Sequence, residues 1–289
     1  MSIRAIKGTL IPVGGNEDKG FEEDEIHRLD YIEEGILSHV VREAGGPSAK
    51  IVVIPTASSI PVQVGENYLT AFSTLGCTDV TVLNIKSKKE SEAPDAIALI
   101  KSADCIMFSG GDQSKISKYI GNTTIHKILS DRYKNDEGFV IAGTSAGAMA
   151  MASEMIAGGS STKAFVKGAV IMRKGLGLIP QLIIDTHFIQ RGRFGRISEA
   201  VAKFPNLLGV GLAEDTGMII KNGNECTVIG SGMVIVFDGS GLTHNNEKIL
   251  KMGTPMTMTN LKIHVLANGD EFNINTRQIN VLPVASPFI

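Results

Sequence analysis

The sequence of 289 residues predicts an α/β fold, in which helices flank a doubly wound, mostly parallel sheet and antiparallel β-hairpins occupy the C-terminal third. Two features of the first half lead to this prediction. Short β-branched runs alternate with longer amphipathic stretches, and the runs are apolar along their whole length. Such runs are typical of parallel strands that helices cover on both faces.

Strands and helices should alternate through the first half of the chain. We expect strands at residues 8–13, 50–55, 79–83, 104–108 and 138–142. We expect helices at residues 21–42, 64–75, 93–101, 114–133 (one helix or two) and 148–156. The connections between them are short, as in other doubly wound α/β proteins.

From residue 208 onward, short apolar runs alternate with turn sequences such as those at 221–224 and 237–241. This pattern predicts hairpins whose strands extend the sheet or cap it. Residues 268–289 should be strand and loop. Because no repeat or linker interrupts the chain, we expect a single domain over residues 1–289, with a C-terminal β extension from about 216 to 289.

The composition favours a globular enzyme over several other classes of protein. A formal net charge of -2 and a pI near 6.3 leave no basic footprint, so we expect no nucleic-acid partner. No apolar run indicates a secretory signal or a membrane span, so we expect a cytoplasmic protein that binds no membrane. The three cysteines, Cys77, Cys105 and Cys226, form no Cys-x-x-Cys pair. We therefore expect buried thiols, without a disulfide, a metal site or a cofactor.

The most informative segment is Gly-Thr-Ser-Ala-Gly at residues 143–147. It follows a predicted strand and precedes a predicted helix, which is the order that a nucleophile elbow requires. A side chain at either glycine would clash where the strand meets the helix. Ser145 is therefore the candidate nucleophile.

Three predicted strands end in glycine-rich turns, at residues 12–16, 108–113 and 143–147. The carboxyl ends of parallel strands share one edge of a sheet, so these turns should converge on a single crevice. A Gly-Gly pair by itself most often only closes a turn. An oxyanion hole could be assembled there from the backbone N–H groups of Gly111 and Ala146.

A serine nucleophile needs a histidine base that a carboxylate orients. His187 is the candidate base because an apolar strand ends just before it, and Glu214 is the first choice of acid, with Asp215 as the alternative. The simpler interpretation of His187 is a residue that caps the following helix. The other histidines should be surface or locally satisfied residues: His27, His39, His126, His244 and His264.

Three arginines follow the candidate base, namely Arg191, Arg193 and Arg196. Guanidinium groups bind carboxylates through two hydrogen bonds, so this cluster predicts an anionic, polycarboxylate substrate. The alternative is a solvated helix start with ordinary surface arginines. Because cations at a helix N-terminus oppose the helix dipole, the cluster favours the functional interpretation.

Together these residues resemble the cyanophycinases, a family in the serine peptidase group that also contains aspartyl dipeptidase, with a fold related to class I glutamine amidotransferases. The resemblance covers roughly residues 8 to 270 in motif order. Its most specific part is Asp-Thr-His-Phe-Ile-Gln-Arg-Gly-Arg at residues 185–193.

The resemblance implies an exo-acting serine hydrolase that cleaves the polyaspartate backbone of cyanophycin and releases β-aspartyl-arginine. Ser145, His187 and Glu214 would then be nucleophile, base and orienting acid. The resemblance also implies a homodimer, and a groove for the acidic aspartate-arginine polymer that is lined by Gln113, Asp185, Thr186, Arg191, Arg193 and Arg196. Thr186 departs from the family pattern, in which a glutamine is expected.

Two other functions fit parts of the sequence. An aspartyl dipeptidase would use the same triad on a substrate that needs one carboxylate clamp. The Arg-rich segment after His187 favours the polymer hydrolase. A noncatalytic module that binds acidic peptides would not need Ser145, which is present together with His187.

Overall fold

The secondary structure comes from a computed structural model that describes residues 6–20, 29–159, 165–283, 286–287 and 289. The described strands are β1 (Thr9–Val13), β2 (Ile51–Ile54), β3 (Val80–Val82), β4 (Cys105–Phe108), β5 (Val140–Thr144), β6 (Glu154–Gly159), β7 (Val170–Lys174), β8 (Leu182–Asp185), β9 (Leu208–Leu212), β10 (Thr216–Lys221), β11 (Glu225–Gly230), β12 (Val234–Asp238), β13 (His244–Asn245), β14 (Met258–Thr259), β15 (Lys262–Leu266), β16 (Glu271–Asn273) and β17 (Ile279–Asn280). The described helices are α1 (Ile36–Glu43), α2 (Pro61–Thr74), α3 (Lys88–Ser91), α4 (Pro94–Ser102), α5 (Gln113–Tyr119), α6 (Thr124–Asn135), α7 (Ala146–Met149) and α8 (Phe194–Lys203).

The central sheet has nine strands in the order β17-β16-β11-β10-β1-β5-β4-β2-β3. The strands β1, β5, β4, β2 and β3 pair in parallel, while β10, β11, β16 and β17 extend the sheet in antiparallel pairs. The predicted fold class is therefore confirmed, including the antiparallel strands in the last third. Among the described helices, none is long and apolar enough to cross a membrane.

Alternate residues of the parallel strands face two separate cores. Val52, Ile106 and Ile141 point into one core, whereas Val53 and Met107 point into the other. The strands β1, β2, β4 and β5 are fully buried because helices or a second layer cover both faces of the sheet, whereas the edge strand β3 is half-buried. The three cysteines are buried and free, as predicted.

A second sheet packs beside the first and was not predicted. Its four strands lie in the order β15-β12-β9-β8, with β8 and β9 parallel and the other pairs antiparallel. The sequence prediction had assigned the later strands to extend or cap one sheet. The strands β10 and β11 form the expected hairpin and extend the first sheet, whereas β12 joins the second sheet.

Two predicted helices are wrong in part. The helix predicted at 21–42 begins at Ile36, because Asp30 accepts the N–H groups of Ile32 and Glu33 and closes a local turn instead; residues 21–28 lie outside the described part. The helix predicted at 148–156 ends at Met149 as α7. The strand β6 follows it because residues 154–159 pair with the next strand, β7, and this pairing is not evident from residues 148–156 alone.

The turn between β5 and α7 is as tight as the elbow motif requires. A Cβ on Gly143 would lie 2.7 Å from the carbonyl carbon of Gly147. A Cβ on Gly147 would lie 2.6 Å from the carbonyl oxygen of Phe108 on the neighbouring strand β4. Both positions are closed to any side chain unless the backbone moves.

We expect Gly147→Ala to destabilise the protein by about 1–3 kcal/mol, because the new methyl group overpacks the contact with Phe108. The matched control is Gly158→Ala, whose Cβ would lie 3.7 Å from Ile171 Cδ1, an ordinary contact distance. The midpoint of urea unfolding measures both variants. Equal midpoints for the two variants would contradict this account of the turn.

Candidate active site

The side chains predicted as nucleophile, base and acid form one row of hydrogen bonds. Ser145 Oγ lies 2.9 Å from His187 Nε2, and His187 Nδ1 lies 2.6 Å from Glu214 Oε1. When Nδ1–H donates to the carboxylate, Nε2 accepts the hydrogen bond from the serine hydroxyl. This arrangement can remove the serine proton as the oxygen attacks a carbonyl carbon.

The row joins the two sheets. Ser145 directly follows β5 of the nine-stranded sheet, while His187 and Glu214 follow β8 and β9 of the second sheet. Because β8 and β9 are parallel neighbours, their carboxyl ends lie side by side and bring the histidine next to the acid. The site therefore lies where the carboxyl end of β5 in the first sheet meets the carboxyl ends of β8 and β9 in the second.

The turn after β1, at residues 13–15, fixes the backbone of this site. Each of its three carbonyl groups accepts one N–H from the site, in the pairs Ser145 to Val13 (2.9 Å), His187 to Gly14 (2.8 Å) and Asp215 to Gly15 (2.9 Å). The three donor residues have positive φ angles of 51°, 48° and 45°. Such conformations are costly for residues other than glycine and persist where surrounding contacts enforce them.

Asp215, the alternative acid, points away from the histidine. Its Oδ1 accepts the backbone N–H of Asp18 at 3.2 Å, and its Oδ2 accepts the Ser231 hydroxyl at 2.6 Å. Those contacts tie the loop after β1 to the loop after β11. The structure therefore places Glu214, and not Asp215, against His187.

The pKa of His187 lies below its ordinary value. Burial of the imidazole is the main cause, and the nearby Arg191 and Arg193 guanidinium groups lower the pKa further. The hydrogen bond and the negative charge of Glu214 act in the opposite direction without reversing the shift. A lowered pKa keeps the ring neutral near pH 7, which is the state that can accept a proton.

The glycine-rich turns converge beside the serine, as predicted. Gly15, Gly110 and Gly111 line a cavity of about 380 Å³ together with Ser145 and His187. A Cβ on Gly15 would lie 2.4 Å from His187 Cε1, so the imidazole rests directly on this glycine. The cavity is at the small end of the range for ligand sites.

The predicted oxyanion donors also lie at this edge. Ala146 is the first residue of α7, and a helix offers no internal partner to its first N–H groups. Gly111 lines the cavity with a φ of 135°, and a Cβ there would lie 2.2 Å from the carbonyl oxygen of Ala57. Only glycine fits this position without a shift of the backbone.

Most of the predicted substrate contacts are buried. Asp185 has no exposed surface and pairs with both Arg193 (3.1 Å) and Arg196. Thr186 is also fully buried, and its hydroxyl lies 3.4 Å from Met149 Sδ. The polar groups of Asp185, Thr186 and Arg196 are engaged within the protein, and their contact with the substrate stays a prediction.

Of two other predicted substrate contacts, Arg191 lines the cavity and Gln113 does not. Arg191 is exposed and lines the cavity beside Ser145. Gln113 begins α5, and its amide donates to the Ile156 carbonyl at 2.7 Å, away from the residues that line this cavity. Of the predicted binding residues, Arg191 is therefore the one that faces the cavity directly.

The remaining histidines lie outside the site, apart from His27, which is not among the described residues. His126 Nε2 lies 2.7 Å from the Leu176 carbonyl oxygen, and His244 Nδ1 lies 2.8 Å from the Thr259 hydroxyl. His39 is buried, and its Nε2 has no partner among the described residues, although the ring interacts with the Ile289 backbone.

Sequence reasoning missed a charged group next to the serine. The Glu17 carboxylate is buried and accepts hydrogen bonds from Tyr68 (2.5 Å) and Thr144, and Lys19 Nζ lies 3.2 Å from it. Burial alone would raise the pKa of Glu17, but the Lys19 charge and these hydrogen bonds outweigh it and lower the pKa. The signal was the run Asn-Glu-Asp-Lys at 16–19, directly after a glycine turn at a strand end.

We expect Asp185→Asn to destabilise the protein by about 3–5 kcal/mol, because it leaves two largely buried guanidinium groups without their anion. The matched control is Asp131→Asn, which breaks an exposed pair with Lys127 and should cost under about 1 kcal/mol. Urea unfolding of both variants measures the difference. A loss for Asp185→Asn no larger than that of the control would refute the structural role of this pair.

Comparisons with known proteins identify the family. The model of Peptidase family S51 matches residues 26–228. A cyanophycinase of Trichormus variabilis is 34% identical over 276 residues, which is 96% of this chain and 89% of the relative. A cyanophycinase of Geminocystis herdmanii is 33% identical, over 94% of this chain and 96% of the relative.

Solved structures show the same fold at lower identity. A peptidase from an acI-B1 Actinobacterium is 19% identical and superposes with a TM-score of 0.60, covering 91% of this chain and 98% of that one. A putative peptidase E from Listeria monocytogenes is 17% identical with a TM-score of 0.50, covering 78% and 99%. With the family model spanning most of the chain, the protein is a serine peptidase that belongs to Peptidase family S51.

Proposed function

We propose that the protein hydrolyses the polyaspartate backbone of cyanophycin from a chain end and releases β-aspartyl-arginine. One observation carries the proposal: the hydrogen-bonded row of Ser145, His187 and Glu214 opens on a cavity with exposed positive charge. Cyanophycinases about one-third identical over nearly the whole chain support the same substrate. An aspartyl dipeptidase activity and a noncatalytic binding role are not favoured, because these relatives are hydrolases of the polymer.

In the proposed reaction Ser145 is the nucleophile. As its Oγ attacks the scissile carbonyl carbon, the proton passes to His187 Nε2, and Glu214 holds the ring and stabilises the imidazolium. The N–H groups of Gly111 and Ala146 are the proposed donors to the oxygen that becomes negative. One donor of this kind contributes roughly 3 kcal/mol to the stability of a transition state.

The tetrahedral intermediate then breaks the carbon–nitrogen bond, and His187 returns its proton to the leaving amine. This leaves an ester between Ser145 and the remaining chain. His187 next takes a proton from a water molecule that attacks the ester carbonyl. Release of the new carboxylate restores the serine hydroxyl, so the cycle consumes one water for each bond cleaved.

Arg191 is the proposed contact for substrate carboxylates, since its guanidinium group is exposed at the cavity. Arg193 and Arg196 act indirectly, because with Asp185 they fix the segment that carries His187. Arg193 also donates to the Thr186 carbonyl at 2.7 Å, one residue before the base. The predicted arginine cluster is thus divided between one contact residue and two positioning residues.

We also propose that the enzyme acts in the cytoplasm as a homodimer. The resemblance to cyanophycinases supports the dimer. Neither statement is needed for the chemistry, since Ser145, His187 and Glu214 all come from one chain.

Incubation with cyanophycin and, separately, with Asp-X dipeptides tests the proposed function. Mass spectrometry should detect β-aspartyl-arginine from the polymer and no cleavage of the dipeptides. Ser145→Ala should lower kcat by at least about 1000-fold because the nucleophile is absent, with an unchanged unfolding midpoint. Cleavage of the dipeptides alone would replace the proposal by the dipeptidase, and an active Ser145→Ala protein would exclude the serine mechanism.

The pH dependence tests His187 as the base. Its pKa is lowered, so the acidic limb of kcat/KM should have its midpoint below about 6.5, the ordinary histidine value. Arg191→Met removes a positive charge that lowers this pKa, and the midpoint should therefore move to higher pH. The matched control Arg173→Met, an exposed arginine on β7, should leave it in place. A midpoint that moves down with Arg191→Met would contradict the assignment.

A further inference from the structure

The cavity beside Ser145 contains a second basic side chain that the sequence prediction did not include. Lys19 lines the cavity together with Arg191, while Glu17 is the one acidic residue in its described lining. From this placement we propose that Lys19 and Arg191 form a subsite for a substrate carboxylate next to the scissile bond. The proposal rests on the proposed function and assigns part of its substrate recognition to Lys19.

Lys19 is held in place by three contacts. Its Nζ lies 3.2 Å from Glu17 Oε1, 3.2 Å from the Glu17 carbonyl oxygen and 5.5 Å from the centre of the Tyr68 ring. An ammonium group has three N–H donors, so two directed at Glu17 leave the third for a ligand in the cavity. The side chain is 23% exposed, which keeps it reachable while burial strengthens its electrostatic interactions.

Glu17, the partner of Lys19, also accepts hydrogen bonds from other side chains. These donors are the hydroxyl groups of Tyr68 and Thr144. A substrate guanidinium would have to displace these contacts in order to bind Glu17. A substrate carboxylate, in contrast, can approach Lys19 directly, so the geometry favours an anion over a cation at this point.

The same contacts place Lys19 relative to the nucleophile. Thr144, which donates to Glu17, is the residue immediately before Ser145 at the end of β5. The distance between the ammonium group and the serine is therefore set by short hydrogen bonds through Glu17. An anchored substrate carboxylate would align the scissile carbonyl with Ser145, which lowers the entropic cost of reaching the transition state.

Cyanophycin offers carboxylates from two sources. Each arginine branch carries a free α-carboxylate, and the chain end carries the α-carboxylate of the last aspartate. Both are single carboxylates that a lysine and an arginine can bind together. Substrates that lack one or the other group distinguish the two sources.

The test compares three synthetic oligomers of β-aspartyl-arginine: one unmodified, one with a C-terminal amide, and one with agmatine in place of each arginine. The wild-type protein, Lys19→Met and Lys19→Arg are assayed on each. Lys19→Met keeps the apolar stem over Tyr68 and removes the charge. Lys118→Met is the matched control, because Lys118 also lies over a tyrosine ring, 5.2 Å from the centre of Tyr119, outside this cavity.

Lys19→Met should lower kcat/KM for the unmodified oligomer by roughly 10- to 100-fold, mainly through KM, which is the range for a hydrogen bond to a charged group. It should have little effect on the one oligomer that lacks the carboxylate bound at Lys19, because no partner remains to be lost. Lys19→Arg should restore most of the activity, and Lys118→Met should match the wild type. The oligomer that is insensitive to Lys19→Met identifies the source of the carboxylate.

Equal losses on all three oligomers would overturn the subsite, since a purely structural role for Lys19 predicts that result. Unchanged kinetics on all three would overturn it as well. In both cases the wild-type protein still cleaves the unmodified oligomer, and the proposed function stands. A wild-type protein that cleaves none of the three instead refutes the proposed function, and the subsite with it.

Discussion

The backbone of the turn at residues 13–15 is the constraint on which the site depends. Its three carbonyl groups bind the N–H groups of Ser145, His187 and Asp215, which come from both sheets. Each of these residues has a positive φ, a conformation that costs of order 1–3 kcal/mol. The hydrogen bonds offset part of that cost and fix Ser145 and His187, the proposed nucleophile and base, relative to the end of β1. The triad is therefore assembled before substrate binds, which is the condition for catalysis by preorganised groups.

The charged side chains near Ser145 and His187 fall into two groups, buried ion pairs and basic side chains that line the cavity. Asp185 neutralises two arginines inside the protein and so stiffens the segment that leads to His187, whereas Arg191 remains at the cavity. Glu17 likewise pairs with a basic residue, Lys19, and holds it at the wall of the cavity. On each side a buried carboxylate organises the cations, and one basic side chain is left to meet an anion. The buried acids Glu17 and Asp185 thus serve the geometry of the site by holding its cations in place.

Local sequence was sufficient for the fold class and for naming the candidate catalytic residues, but not for choosing between Glu214 and Asp215, for the second sheet or for the charge pairs. The elbow at 143–147 and the polar residues after apolar strands are local signals, and they predict Ser145, His187 and Glu214, whose side chains are joined by hydrogen bonds in the structure. The end of α7 and the placement of β6 depend on antiparallel pairing with β7, the next strand along the chain. Likewise, the spacing of Arg191, Arg193 and Arg196 does not predict which of them pair with Asp185. Tertiary packing determines these pairings, and a short stretch of sequence does not contain that information.

The basic residues at the cavity also connect binding to catalysis. Arg191 lowers the pKa of His187, so in the empty site it favours a neutral imidazole but weakens it as a base. In the proposed complex, a substrate carboxylate at Arg191 would compensate that positive charge and raise the pKa of His187 towards its ordinary value. The proposed base would then be neutral before substrate arrives and stronger once an anionic substrate occupies the cavity. An uncharged peptide would produce no such change, so the proposed contact at Arg191 would favour an acidic polymer in the chemical step as well as in binding.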